Sequence, residues 1–277
     1  ESQVGFTFPG VFGTIATAYF EKYGASRDHL MNVTIKSHEN AARNPKAQLN
    51  ASMEDVMAAK IKRAESKGRP TPTWVDAKAF LSDPRANPTV AWPIHVFDCC
   101  PISDGASCLL LVGEDIAKNF TDDPLYVAGM GQGSGRGLHA AQDLTSFEAT
   151  RYAAHEAYEM SGLGPKDIQF AEVHDCFSIA ELLHIEDLGF FKAGEGYKAV
   201  EEGQTRLEGS TPINTSGGLK CKGHPVGATG AAQLVEVWTQ LRQQAGQRQV
   251  AGDLKFGAAH NLGGTGGTST FTILERR

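Results

Sequence analysis

Gly223, His224 and Pro225 lie within a run from Asn214 to Gly230 that carries five glycines and leads into a helix expected over 231–244. An imidazole placed there sits beside unpaired backbone N–H groups at a helix start, which suits a general base next to an anion-friendly pocket. Glycine before the histidine permits close backbone approach, and proline after it makes the turn rigid, so the ring keeps one orientation. The positive end of the following helix disfavours imidazolium and leaves the base neutral near pH 7. A lone histidine is more often structural, but a structural histidine needs neither neighbour.

Two further clusters fall at strand-like ends. In the run His174, Asp175, Cys176, Phe177, residues two apart share a strand face, so His174 and Cys176 can address one cavity and the imidazole can ease thiol ionisation. The competing role for Cys176 is that of a small buried apolar residue; a run this polar argues for function, with Asp175 orienting its neighbours or a turn. The second cluster, His260 to Gly264, offers bare N–H groups from Asn261 onward that suit an oxyanion hole, or simply make a hairpin turn. Lys220, Lys222 and the amides around them are placed to hold a phosphate-bearing ligand. Cys221 is balanced between reactive and incidental, while Cys99, Cys100 and Cys108 read as core. A solvated helix face accounts for Lys36 and His38 as well as ligand contact does, and Asp104 is expected to hold a hairpin. The Gly129–Gly135 run echoes a dinucleotide fingerprint, but no helix follows at once and no acidic residue stands at the required spacing, which excludes NAD.

The elements that must position these groups come from the rest of the chain. With 277 residues, 41% of them hydrophobic, the chain can build a sizeable core. A net charge of −6 gives no general pull toward nucleic acid or anionic membranes. The absence of a membrane-length apolar run and of a signal pattern leads to an expectation of a soluble, cytoplasmic protein. Five cysteines without paired metal-ligand spacing point to reduced thiols rather than a metal site or a disulfide framework. Periodicity predicts a helix over 12–23 stopped by Gly24, a second from a Ser26 cap to about 42, and a surface excursion with short helices over 51–93. Two strand–turn–strand units follow the same plan: 94–100, 103–106 and 107–112, then 254–260, 261–267 and 268–274. Between them a strand at 125–129, a helix at 146–161, a strand at 169–173 and a helix at 178–188 alternate, which implies a layered α/β sheet. If the two units close equivalent halves, 121–277 is a complete half. Residues 1–120 are then the remainder of the other, with a loop subdomain over about 25–93, and its opening strands are expected upstream of Glu1.

Taken in order, His-Asp-Cys-Phe at 174–177, Gly-His-Pro at 223–225 and His-Asn-Leu-Gly-Gly at 260–264, with Ser-Asp-Gly-Ala at 103–106 and Lys-Ser-His at 36–38, resemble the thiolase superfamily, in its sterol-carrier-protein-type branch. The resemblance implies a duplicated five-layered α/β/α/β/α fold, with the first half incomplete in this chain. It also implies a homodimer or dimer of dimers, and acyl-coenzyme A thioesters as substrates with no bound cofactor or metal. By the same resemblance His224 would deprotonate a nucleophilic cysteine, His174 would anchor an oxyanion-hole water, and Cys176 would be the acid/base cysteine. Asn261 to Gly263 stand where relatives carry Cys-x-Gly, leaving the Gly263 N–H as an oxyanion donor; Lys220, Gly217 and Gly218 would face coenzyme A. The acyl-accepting cysteine has no counterpart here and is expected in the upstream segment. Two alternatives stand beside a 3-ketoacyl-CoA thiolase: a retro-aldol lyase working with a small zinc-ribbon and OB-fold partner, and a non-catalytic scaffold subunit.

Overall fold

The computed structural model describes residues 5–137 and 140–277. Helix α1 (Phe8–Tyr23) starts with proline in its first turn and ends at Gly24, whose left-handed φ of 74° returns its N–H to the Phe20 carbonyl. Its buried face carries Val11, Phe12, Ile15 and Tyr19, the spacing of an apolar helical stripe. Helix α2 (Arg27–Ala42) opens at Ser26, whose N–H is taken by His29 Nδ1 at 2.9 Å. Helix α3 (Met53–Ser66) is capped by Ser52 and Asp55, and α4 (Ala77–Ser82) by Asp76, so the 51–93 excursion does contain short helices.

The expected 94–112 hairpin does not form. A two-stranded ribbon of β1 (Thr89–Ala91) and β2 (Ile94–His95) is followed by a 3₁₀ turn at Val96–Asp98. Residues 107–112, expected as a buried strand, have no strand assignment, and Leu110 and Leu111 are 72% and 79% exposed. The physical reason is pairing: among the described residues no strand lies beside them, and an extended segment cannot be a strand alone. Cys108 is exposed with them, contrary to its expected place in the core.

The second half builds its sheet from β3 (Leu125–Ser134), β4 (Ala171–Glu172), β5 (Phe256–Gly263) and β6 (Thr268–Arg276). The order is β3-β6-β5-β4, with β4 parallel to β5 and the other pairs antiparallel. Helix α5 (Glu148–Ser161) lies across β3 so closely that a Cβ on Gly129, Gly131 or Gly133 would strike the carbonyls of Ala157, Ala153 and Ala149. The glycine run is therefore a helix-packing groove, and β3 extends through it. Register places Phe271 and His260 on the Gly131 face. Helix α6 (Ser178–Asp187) packs on that side and is buried through most of its length, because α1 and α2 cover it in turn. On the opposite face Ala259 and Leu274 pack with Val237 and Leu241 of α9 (Thr229–Leu241). Two short helices, α7 (Gly196–Glu201) and α8 (Gly218–Lys222), complete the chain.

Candidate active site

The end of β4, α8 with the loop after it, and the connector at 99–103 converge. Cys100 N–H donates to the Cys176 carbonyl at 3.0 Å, Cys99 bridges Phe177, and Ile102 bridges His224. The connector thus pairs with both motifs at once. Ser103 ends it by accepting the His224 N–H on Oγ at 3.0 Å. The rings of His174 and His224 meet edge to face with centroids 5.0 Å apart.

Thr229 sets the chemistry of His224. Its hydroxyl lies 2.7 Å from His224 Nδ1 and 3.0 Å from the Pro225 carbonyl, which also accepts the Ala228 and Thr229 N–H groups. In the tautomer that carries its proton on Nδ1 and donates to Thr229, Nε2 holds the free lone pair of a base. Burial, and then Lys222, lower the His224 pKa and keep the ring neutral. His174 is held far lower by burial and by His224 and His260, so it is a neutral group whose buried Nδ1 has no hydrogen-bond partner among the described residues. Burial raises the Cys176 thiol well above its usual value, with Cys100 and Asp175 adding to the rise, which makes it a proton donor at neutral pH rather than a resting thiolate.

Asn261 lies on the α9 side of β5, where Nδ2 donates to Gln233 Oε1 at 2.8 Å. Gly263 stands opposite Thr268 at the end of β5. His260 faces the other way, into the core: its Nδ1 takes the His174 N–H at 3.5 Å, and its ring lies 4.2 Å from that of His184. Burial brings its pKa down to about 3. Sequence reasoning gave no role to Ser103, Thr229 or His184, although Ser103 stands in the 103–106 motif. The Ser103 and Thr229 hydroxyls carry no local signal of their role, and His184 is spaced like any residue of α6.

Three lysine and histidine expectations change. Lys36 and His38 are buried, not solvated: Lys36 Nζ pairs with Glu181 and donates to the Ile213 carbonyl at 3.2 Å. His38 Nδ1 lies 2.8 Å from the Ala51 carbonyl, and burial lowers its pKa to about 4. Lys220, expected toward coenzyme A, points inward, with Nζ on Thr34 and Ser178. Gly217 abuts Ala41 and Gly218 abuts Asp175, close approaches that leave no room for a Cβ. Among the described residues no group of three or more His, Cys, Asp and Glu is arranged to hold a metal ion.

A separate cleft of about 660 Å³ lies where the end of α3 meets the segment that follows it, lined by Lys60, Arg63, Lys67, Arg69 and Arg85 around Trp74, with Asp83 as its acidic member. The opposite end of α3 begins at Ser52, beside the Ala51 carbonyl that holds His38. Among the described residues no helix is long and apolar enough to cross a membrane.

Comparison with known proteins agrees with this geometry. Residues 132–276 match the family described as thiolase C-terminal domain-like. Acetyl-CoA acetyltransferase of Methanothermobacter thermautotrophicus is 43% identical over 279 residues, covering 100% of this chain and 65% of that protein. Human sterol carrier protein 2 is 34% identical over 275 residues, covering 96% of this chain and 45% of that protein. The chain thus spans about 65% of the length of its acetyltransferase relatives. Among solved structures, the Ltp2-ChsH2(DUF35) aldolase shares the fold with a TM-score of 0.77 at 24% identity, over 99% of this chain and 65% of that one. A monomeric SCP2-thiolase like protein from Mycobacterium smegmatis shares it with a TM-score of 0.65 at 16% identity, over 98% of this chain and 52% of that one. With the α/β fold, the matched half and the motifs in agreement, the chain is a member of the thiolase family.

Proposed function

We propose that this chain is the larger part of a thiolase-type acyltransferase that cleaves or forms 3-ketoacyl-CoA, and that the acyl-accepting cysteine lies in a segment upstream of residue 1. The observation that carries the reading is the meeting of His224 with His174 at the strand end that leads to Cys176: with Nδ1 held by Thr229 and the ring kept neutral, Nε2 serves as the base that a cysteine nucleophile needs. That base abstracts the thiol proton, since a free thiol is mostly protonated at neutral pH. Cys176, held as a thiol, donates its proton to the substrate α-carbon as the C–C bond breaks, and the thiolate so formed takes a proton from that carbon in the reverse, bond-forming direction. His174, through a bound water, and the Gly263 N–H hold the developing oxyanion. The cleft around Arg63 and Arg69, at the C-terminal end of α3, supplies cations for the phosphates of coenzyme A. A homodimer or dimer of dimers in the cytoplasm completes this picture.

The test is thiolysis of a 3-ketoacyl-CoA by the intact polypeptide, with the acyl-enzyme trapped and its cysteine located by peptide mapping. His224→Ala and Cys176→Ala are expected to lower turnover by about two powers of ten with the fold retained, whereas Cys99→Ala affects packing. Equal losses in all three, matched by equal losses of thermal stability, would assign structural roles throughout. A second reading, a retro-aldol lyase with a partner subunit, takes its support from the aldolase that shares this fold. It needs no acyl-enzyme, so turnover with nothing trapped on cysteine would favour it.

A further inference from the structure

Helix α8 is a single turn that delivers His224 through Gly223, and a helix so short does not hold itself in water. Its C-terminal end is tied from outside: Gln48 and Leu49 N–H groups donate to the Lys222 and Cys221 carbonyls, each at 3.0 Å. Its N-terminal amides have no intrahelical partner. One of them, Leu219 N–H, donates to Asp175 Oδ1 at 2.6 Å, a short bond. Asp175 is fully buried at the end of β4, between His174 and Cys176.

We propose that Asp175 is a positioning residue, which clamps the backbone that delivers His224 to the strand end that carries His174 and Cys176. This rests on the assignment of His224 and Cys176 as the proton-transfer groups. Three observations beyond the bond support it. The backbone at Gly217 and Gly218 is left-handed, with φ of 99° and 63°, which brings α8 against the carboxylate. A Cβ on Gly218 would overlap the Asp175 carboxyl group, so the glycine is there to admit it. The carboxylate is also expensive to keep where it is. Burial and Glu181 push its pKa up to about 7, opposed by the Leu219 N–H and by Lys220 and Lys36, and its Oδ2 has no hydrogen-bond partner among the described residues. A buried carboxylate with one strong bond is a costly way to fill space, and its position is explained by the peptide it holds.

The experiment compares two variants of the intact polypeptide. Asp175→Asn keeps an acceptor for the Leu219 N–H, and Asp175→Ala removes it. Asp175→Ala is expected to lower kcat by about 10²-fold, the order that follows from small misplacement of a reacting group, with KM within about twofold. Asp175→Asn is expected to recover kcat to within about threefold of wild type, because a neutral acceptor retains the geometry. Independently of turnover, the Leu219 amide is expected to resonate downfield and resist exchange in wild type and Asp175→Asn, and to lose that protection in Asp175→Ala while core amides keep theirs. If the wild-type protein shows no thiolysis, the assignment of the site fails, and the Leu219 amide still decides the clamp. Wild-type kcat in Asp175→Ala, equal losses in both variants, or unchanged Leu219 protection would overturn it. Should Asp175→Ala not fold, Gly218→Ala reads the same contact from the other side: a lowered kcat at unchanged KM supports the clamp, and wild-type kcat refutes it.

Discussion

Leu110→Ala in the intact polypeptide tests whether residues 107–112 belong to a sheet completed by an upstream segment. In the chain described, Leu110 is 72% exposed, Leu111 79% and Ile102 99%. Burying one such side chain completely contributes about 1.5–3 kcal/mol, so sealing all three, each weighted by its present exposure, is worth about 4–7.5 kcal/mol, comparable to the net stability of a whole domain. If added strands cover the segment, truncating Leu110 removes buried methyl groups and costs about 2–4 kcal/mol, the range for large-to-small changes in cores. If the segment stays bare, the same change costs less than about 0.5 kcal/mol, as surface substitutions do. Urea unfolding of wild type, Leu110→Ala and Leu111→Ala, read as the shift in midpoint at constant slope, separates the two. Hydrogen exchange adds a second measure, since paired strand amides at 107–112 are protected and bare ones are not. Losses under 0.5 kcal/mol with unprotected amides would refute the strand-completion argument, and with it the upstream location of the nucleophile.

In the cleft lined by Lys60, Arg63, Lys67, Arg69 and Arg85, Arg63→Glu is expected to raise KM for a CoA thioester about 5–10-fold and to weaken its dependence on salt, since each exposed contact to a phosphate is worth about 1 kcal/mol; an unchanged KM at low ionic strength would remove the cleft from substrate binding. His224 acts as a base only when neutral and its pKa is lowered, so the acid limb of kcat/KM is expected below pH 6.5, with activity lost as pH falls through that lowered value. Lys222→Met removes one of the two causes of the lowering and is expected to move the limb upward; an acid limb above 6.5 in wild type would contradict the assignment. Lys36→Met leaves Glu181 buried without its cation and is expected to cost about 3–5 kcal/mol by calorimetry, whereas a loss under about 1 kcal/mol would mean that the pair is not buried in solution.

Local signals were legible because they act within a turn or two of chain. Gly24 stops α1, Ser26 opens α2, and the pattern at 146–161 becomes α5 within two residues. The three motifs could be found in sequence because their residue types are costly anywhere but at a site, and the structure brings His174 against His224. Tertiary structure decided what depends on a partner distant in sequence. Lys36 looked solvated because its counter-charge, Glu181, is on α6; Lys220 turned inward because Thr34 and Ser178 are there to receive it. Residues 107–112 have the composition of a strand and yet form none, since a strand is a property of a pair. The Thr229 hydroxyl beside His224 Nδ1 and the Asp175 bond to Leu219 were equally out of reach of sequence. Each is set by where one hydroxyl or one amide lies in space, and composition and periodicity carry no record of that.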